Sequence, residues 1–324
     1  MAPSSEKPFA MVKDLIAAYL MEAHMKLEVD SPTVLSITCD YDECVFYFYG
    51  KRDSQRYELE NLNQWTLEID NDASGVLKEL VIYEQSSGVY GCSSGSIQDV
   101  FLLIQYFSSK LYASVDCLTI NAANFHHMKA IQSIEILKKS KNVVIQEGRV
   151  SHDELRQILE GFEPEELELS CTTEKDFSYD HIISIDDFSA DPGGWFKGSM
   201  LLNLDSEKIF VESEDMTDED MNTFLHEWMK GTGVCAKRSF MELCRVTSNW
   251  NIDTVTKGLL SVDEDWSPLS PDKNRFRCFR REMDEAKMNI LLYVHESKFY
   301  LNFRSAKHAY ISDYLLNLLL EKSS

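Results

Sequence analysis

Between Ile209 and Gly231 the chain reads IFVESEDMTDEDMNTFLHEWMKG, an acidic run with a histidine close behind it. Asp218, Glu219, Asp220 and His226 are residue types that can hold a divalent cation or move a proton. Either chemistry needs partners converging on one point, and no spacing in this sequence supplies them. His226-Glu227 lacks the second histidine of a zinc-protease helix. A local reading accounts for the three acids instead. Thr217-x-x-Asp220 is a weak form of the capping box, in which a hydroxyl and a carboxylate satisfy each other's backbone amides. Acids in a first helical turn gain about 0.3–1 kcal/mol each from the helix dipole. Met221, Phe224, Leu225 and Trp228 then form the apolar stripe of a helix, and Gly231 is its natural stop. His226 falls on the helix surface.

The other routes to catalysis are equally thin. There is no G-x-S-x-G, and Gly88–Gly95 lacks the lysine and the strand–helix frame of a phosphate loop. His126 and His127 are adjacent, so a helix would point them to different sides. No catalytic residue, metal ligand or cofactor is expected. An enzyme of unknown reaction is the weaker alternative, resting on acids and histidines alone. The net charge of −22 opposes binding to phosphate backbones or anionic bilayers, so neither nucleic acid nor membrane is expected as a partner. The same charge keeps a protein soluble or favours a basic partner. The basic clusters Lys237-Arg238 and Arg275, Arg277, Arg280, Arg281 are expected to pair with the chain's own carboxylates. Trp195-Phe196, beside the turn Pro192-Gly-Gly194, is either an exposed anchor or a core plug. Large apolar residues favour the core.

The eight cysteines form no CxxC pair, and Cys117 sits in an apolar burst, where a free thiol behaves as a small hydrophobe. A reducing cytoplasmic or nuclear setting is expected. Met1–Lys7 is polar with no secretory apolar segment after it, and Tyr314–Leu320 is too short to span a bilayer.

The elements that must position these residues follow from periodicity. Pro8–Lys26 predicts a helix. Val34–Cys39 and Cys44–Tyr49 predict a hairpin, with further strands at Arg56–Leu59, Gln64–Ile69 and Leu77–Tyr83. Gln85–Ser96 reads as a loop, and Ser96 as the N-cap of a helix over Ile97–Lys110. A unit then recurs, a short strand, a polar turn and a helix: Val115–Ile120 with a helix inside Phe125–Ser140, Asn142–Gln146 with Ser151–Gly161, Glu166–Ser170, Lys208–Glu212 with Thr217–Gly231, and Met241–Val246. Ser151-x-x-Glu154 is a second capping box. Ser261–Lys273 reads as a connector, Ile290–Val294 and Phe299–Phe303 as a hairpin, and Ala306–Glu321 as a final helix. The fold class predicted is α/β: a leucine-rich-repeat-like stack of strand–helix units, with a β-rich N-terminal part and a C-terminal hairpin plus helix. Alternate strand residues point away from the core. With Val143, Ile145, Leu167, Leu169, Ile209 and Val211 inward, the outward set is Val144, Gln146, Glu168, Ser170, Phe210 and Glu212. That set is the candidate partner-binding face.

The helix around Trp228 resembles the type-2 F-box-associated domain of nematode F-box proteins. The residues that carry the resemblance are Asp218, Asp220, Phe224, Leu225, Trp228, Lys230 and Gly231. Ser151-His-Asp-Glu-Leu-Arg-Gln-Ile158 upstream and Val255-Thr-Lys-Gly258 downstream also fit. The resemblance covers Leu111–Leu260 well and Val29–Lys110 loosely. It implies a protein-interaction module that holds a target for a cullin-based ubiquitin ligase. The family's F-box docks on the ligase adaptor, but here the Leu-Pro opening is missing and Pro8–Lys26 matches at most the last helix of a truncated F-box. Adaptor binding is therefore expected to be weak, and a full substrate receptor with a degenerate F-box is the alternative. The expected divisions are 1–30 (helix, F-box remnant), 31–110 (β-rich), 111–260 (F-box-associated) and 261–324 (connector, hairpin, helix), with 31–324 one body.

Overall fold

A computed structural model of the chain describes residues 24–29, 33–39, 42–48, 64–71, 76–86, 89–92, 97–111, 113–259, 275–280, 287–295 and 298–306. The chain divides into two units, Met1–Gly148 with Glu160–Pro164, and Arg149–Leu159 with Glu165–Ser324. The helices expected over residues 8–23 and 307–321, the strand at 56–59 and the connector at 261–273 lie outside the described residues.

The first unit holds β1 (His24–Val29), β2 (Thr33–Cys39), β3 (Asp42–Phe48), β4 (Gln64–Asn71), β5 (Val76–Ser86), β6 (Val89–Cys92), α1 (Ile97–Leu111), β7 (Ser114–Asn121), α2 (Met128–Gln132), α3 (Glu135–Lys138) and β8 (Asn142–Gln146). Its strands lie in the order β8-β7-β1-β2-β3-β6-β5-β4. β1 is antiparallel to β2 and parallel to β7, so it sits where the meander meets the parallel strands. Met25, Leu27 and Val29 are buried, as are Leu118 and Ile120 of β7 and Val100, Leu103, Ile104 and Phe107 of α1.

Three expectations change here. The predicted N-terminal helix cannot run to Lys26, because His24–Val29 alternates with period two and pairs on both sides. Part of the predicted loop at 85–96 is strand: β5 continues to Ser86, and β6 lies between β3 and β5. Pairing on both sides outweighs the low strand preference of a glycine-bearing segment. The helix expected within 125–140 is broken into a 3-10 turn over Ala122–His127, then α2 and α3. Ser133 Oγ bonds back to Ala130 O at 2.6 Å and Ile134 is extended, which ends α2. Gly148 has φ +140°, and a Cβ there would stand 2.7 Å from that of Ala122. Only glycine fits this turn.

The second unit holds α4 (His152–Gly161, as far as Leu159), β9 (Glu166–Leu169), β10 (Ile183–Ser184), β11 (Asp187–Ala190), α5 (Gly198–Asn203), β12 (Leu204–Asp205), β13 (Lys208–Glu212), α6 (Asp218–Met229), β14 (Phe240–Arg245), α7 (Ile252–Val255), β15 (Arg275–Arg280), β16 (Lys287–His295) and β17 (Lys298–Ala306). β9, β11, β13 and β14 run parallel, and β17, β16 and β15 extend the sheet antiparallel. β10 and β12 form a separate pair. This is a mixed α/β architecture, and the expected C-terminal hairpin is the longer pair β16–β17. The basic residues Arg275, Arg277 and Arg280 lie on β15, a strand the sequence did not disclose.

Two apolar rows cross the parallel strands in register. Leu167, Phe188, Ile209 and Met241 form one, and Leu169, Ala190, Val211 and Leu243 the other. All eight are at most 3% exposed. Each large member contributes roughly 1.5–3 kcal/mol of hydrophobic stabilisation. The in-register partners Glu166, Asp187 and Lys208 are 21 residues apart. The intervening strand β11 lies in a stretch the sequence left as irregular.

Candidate functional site

The acidic run at the start of α6 is a joint, held by bonds on both sides. Thr217 is extended, and its Oγ1 accepts from Asp220 N at 3.0 Å. Asp220 Oδ2 returns the bond, accepting from Thr217 N at 2.9 Å and from its hydroxyl at 2.7 Å. The capping box is therefore complete, stronger than the sequence suggested. Asp218 does more than meet the helix dipole. Its Oδ1 accepts from Arg245 Nη1 at 3.0 Å, and its Oδ2 from Asn251 N at 3.4 Å. The Arg245 side chain is buried, donates to Met216 O through Nε and Nη2, and lies over Trp250 with Cζ 3.5 Å from the ring centroid. The sequence reading of Asp218 as a helix-initiating acid alone is thus corrected.

The rest of the helix packs inward. Phe224, Leu225 and Trp228 are fully buried, and Phe224 and Trp228 meet the Phe303 ring edge-on at 5.5 and 5.6 Å. Lys230 reaches Glu227, and Gly231 takes φ +68°, a left-handed stop. His226 Nε2 lies 3.0 Å from Lys257 O, and Asn222 Nδ2 donates to Val255 O and Lys257 O, both at 2.9 Å. These bonds tie the outer side of α6 to the last residue of α7 and the turn after it. At the other box, Glu154 Oε2 accepts from Ser151 N at 2.7 Å.

Several of the groups that could do chemistry are buried or bonded. Burial pushes the thiols of Cys171 and Cys244 up to about 11, and that of Cys235 in the same direction. Burial, with the neighbouring His126 charge second, lowers His127. Arg238 was expected to pair with carboxylates, but it is buried. Its Nε donates to Ser206 O at 2.8 Å and its Nη2 to Leu204 O, and burial lowers it to about 10. Lys237 does form an ion pair, with Asp205 at 2.9 Å. Trp195 and Phe196 are core residues, at most 1% exposed. Among the described residues no group of three or more His, Cys, Asp or Glu is placed to hold a metal ion.

The open side of the second unit's sheet carries the remaining candidates. Glu168, Ser189, Phe210 and Glu242 lie in register across β9, β11, β13 and β14. Phe210 is 42% exposed, and its ring centroid is 4.9 Å from that of Phe240. Glu168 is exposed, with Ser170 Oγ 3.4 Å from its Oε1. Glu212 is partly covered and paired with Lys298. Lys208 binds Asp187 at 2.7 Å. At the far end of this side Cys244 is buried against Tyr300, whose hydroxyl burial and the Cys244 thiol raise to about 12. Val144 and Gln146 alternate with buried Val143 and Ile145 on β8 of the first unit. Sequence reasoning missed Asp187, Ser189, Phe240 and Glu242. Phe240 and Glu242 were findable, since they alternate with buried Met241 and Leu243.

Among the described residues no helix is long and apolar enough to cross a membrane. Residues 176–234 match the family model described as F-box associated. That span contains β10 to β13, the whole of α6 and the Trp228–Gly231 signature. No curated protein and no solved structure matches the chain.

Proposed function

We propose that this chain is a protein-interaction module of the F-box-associated kind, resembling the target-recognition region of a ubiquitin-ligase receptor, and that it performs no reaction of its own. The F-box associated match over residues 176–234 carries this reading. The open strand face within and next to that match supports it: Glu168 and Phe210 are exposed on strands rather than on loops. The contact residues are Glu168, Ser170, Phe210 and Glu212 on the second unit, and Val144 and Gln146 on the first, and the partner is a protein, a degradation target in the receptor reading. The architecture proposed is a leucine-rich-repeat-like stack. In-register strands 21 residues apart support it, a spacing within the roughly 20–29 residues of such repeats. The protein works in the cytoplasm or nucleus; the free cysteines Cys117, Cys171, Cys235 and Cys244 among the described residues support this.

The test is affinity purification of the full chain beside the variant carrying Glu168→Lys and Phe210→Ser, with bound proteins identified by mass spectrometry. Specific partners are expected to disappear from the variant while the circular dichroism spectrum is unchanged. An identical partner set would remove the face from the reading. A second reading, a complete receptor that reaches the ligase through a degenerate F-box, is also compatible with the match. Tight co-purification of the cullin adaptor favours it, and weak or no binding is expected here.

A further inference from the structure

On the four parallel strands of the second unit, the open side presents Glu166, Glu168, Asp187, Glu212 and Glu242 against Lys208, while from β17 Lys298 pairs with Glu212 and Asn302 Nδ2 donates to Glu242 at 3.0 Å. Lys208 is already engaged by Asp187. In the middle of these acids stands the Phe210–Phe240 pair, with Phe210 42% exposed. Phe210 gains from its contact with Phe240, but the part of its ring left open to water is not stabilised by burial. That part stabilises the protein only when something covers it. The covering group must also tolerate a row of negative charge on either side.

We propose that this face takes a basic extended segment of another protein, in which one aromatic or branched aliphatic side chain seats on Phe210–Phe240 and flanking lysines or arginines meet Glu168 and Glu242. The inference rests on the reading of this face as the docking surface and adds the chemistry of the occupant. The geometry suits a chain lying across the strands. In-register neighbours in a sheet are about 4.8 Å apart. Glu168 is two strands from Phe210, and Glu242 one strand away on the other side. An extended peptide advances about 3.3 Å per residue, so a charge about three residues from the apolar contact on one side, and one or two on the other, falls beside these acids. Charge complementarity of this kind sets partner choice and encounter rate, and the buried apolar contact sets the lifetime.

Selection of a random peptide display library on the full-length protein tests this. Three baits are compared: the natural chain, the Glu168→Lys/Phe210→Ser variant, and Asp153→Lys as a charge control on α4. Enriched peptides are expected to carry net positive charge and one large apolar residue. Resynthesised, they should bind the face variant at least about tenfold more weakly, bind Asp153→Lys nearly unchanged, and weaken with added salt. Peptides that are neutral or acidic yet lost on the face variant would overturn the basic-segment inference and leave the docking face standing. Peptides that the face variant retains, or a selection that enriches none, would overturn both.

Discussion

Asp218 and Arg245 meet at 3.0 Å across 27 residues of sequence, joining the first turn of α6 to the end of β14. The guanidinium is buried and is held on its other side by Met216 O and the Trp250 ring. A buried cation deprived of its paired carboxylate is costly, about 3–5 kcal/mol for a fully buried pair. Asp218 is partly exposed, so Asp218→Ala is expected to cost about 2–3 kcal/mol in chemical denaturation. A double-mutant cycle with Arg245→Lys checks the coupling. If the two changes add without interaction, Asp218 serves only the helix dipole.

The capping box predicts a smaller loss. Thr217→Ala leaves the Asp220 amide without its acceptor and is expected to cost about 1 kcal/mol, while Thr217→Ser restores most of it. Urea denaturation at neutral pH measures both. An alanine variant as stable as the natural chain would mean that the box contributes nothing.

Trp228 is fully enclosed against Phe303. Trp228→Ala is expected to lose about 3–5 kcal/mol, with Trp228→Phe recovering much of it. Loss of soluble expression of the alanine variant alone, with normal yield of the phenylalanine variant, also fits. A fully stable Trp228→Ala would contradict the packing described for α6.

Glu214 has a pH signature. Burial pushes its carboxyl up, but the Thr247 hydroxyl, the Thr247 and Val246 amides and the Arg245 charge outweigh that and hold it below its ordinary 4.5. A carboxyl depressed in the folded state stabilises the fold above its ordinary value, and this contribution fades as pH falls through the folded one. The stability gap between the natural chain and Glu214→Gln should therefore be widest near pH 7 and shrink below pH 4.5. A gap that grows on acidification would reverse the assignment.

The thiols of Cys171 and Cys244 are both buried and held up at about 11. Only the thiolate reacts with alkylating reagents. At pH 8 both should label at least about a hundredfold more slowly in the native protein than in denaturant. Rapid native labelling, resolved by peptide mapping, would show that these sites open.

The sequence announced α6 clearly because cap, stripe and stop agree there: Thr217, the Met221–Trp228 stripe and Gly231. It announced β13 because Ile209 and Val211 alternate with Lys208 and Phe210. It hid β11, since Asp187-Phe-Ser-Ala190 is four residues long with only Phe188 large and apolar. That strand exists because β9 and β13 pair with it on both sides. It hid the role of Asp218 for a related reason. An acid in a first turn has a sufficient local explanation, and Arg245 is a distant partner that no short-range pattern reveals. The Phe210–Phe240 pair likewise forms only once β13 and β14 lie side by side.

Gly198, at the start of α5, lies against the carboxylate that closes the capping box. A Cβ built there would come within 2.1 Å of Asp220 Cγ. The two positions share one small volume, so a methyl group at 198 could be accommodated only by withdrawing the carboxylate from Thr217. Related chains that keep this arrangement should change residues 198 and 220 in concert. A lone departure from glycine at 198 should mark a chain in which α6 begins differently.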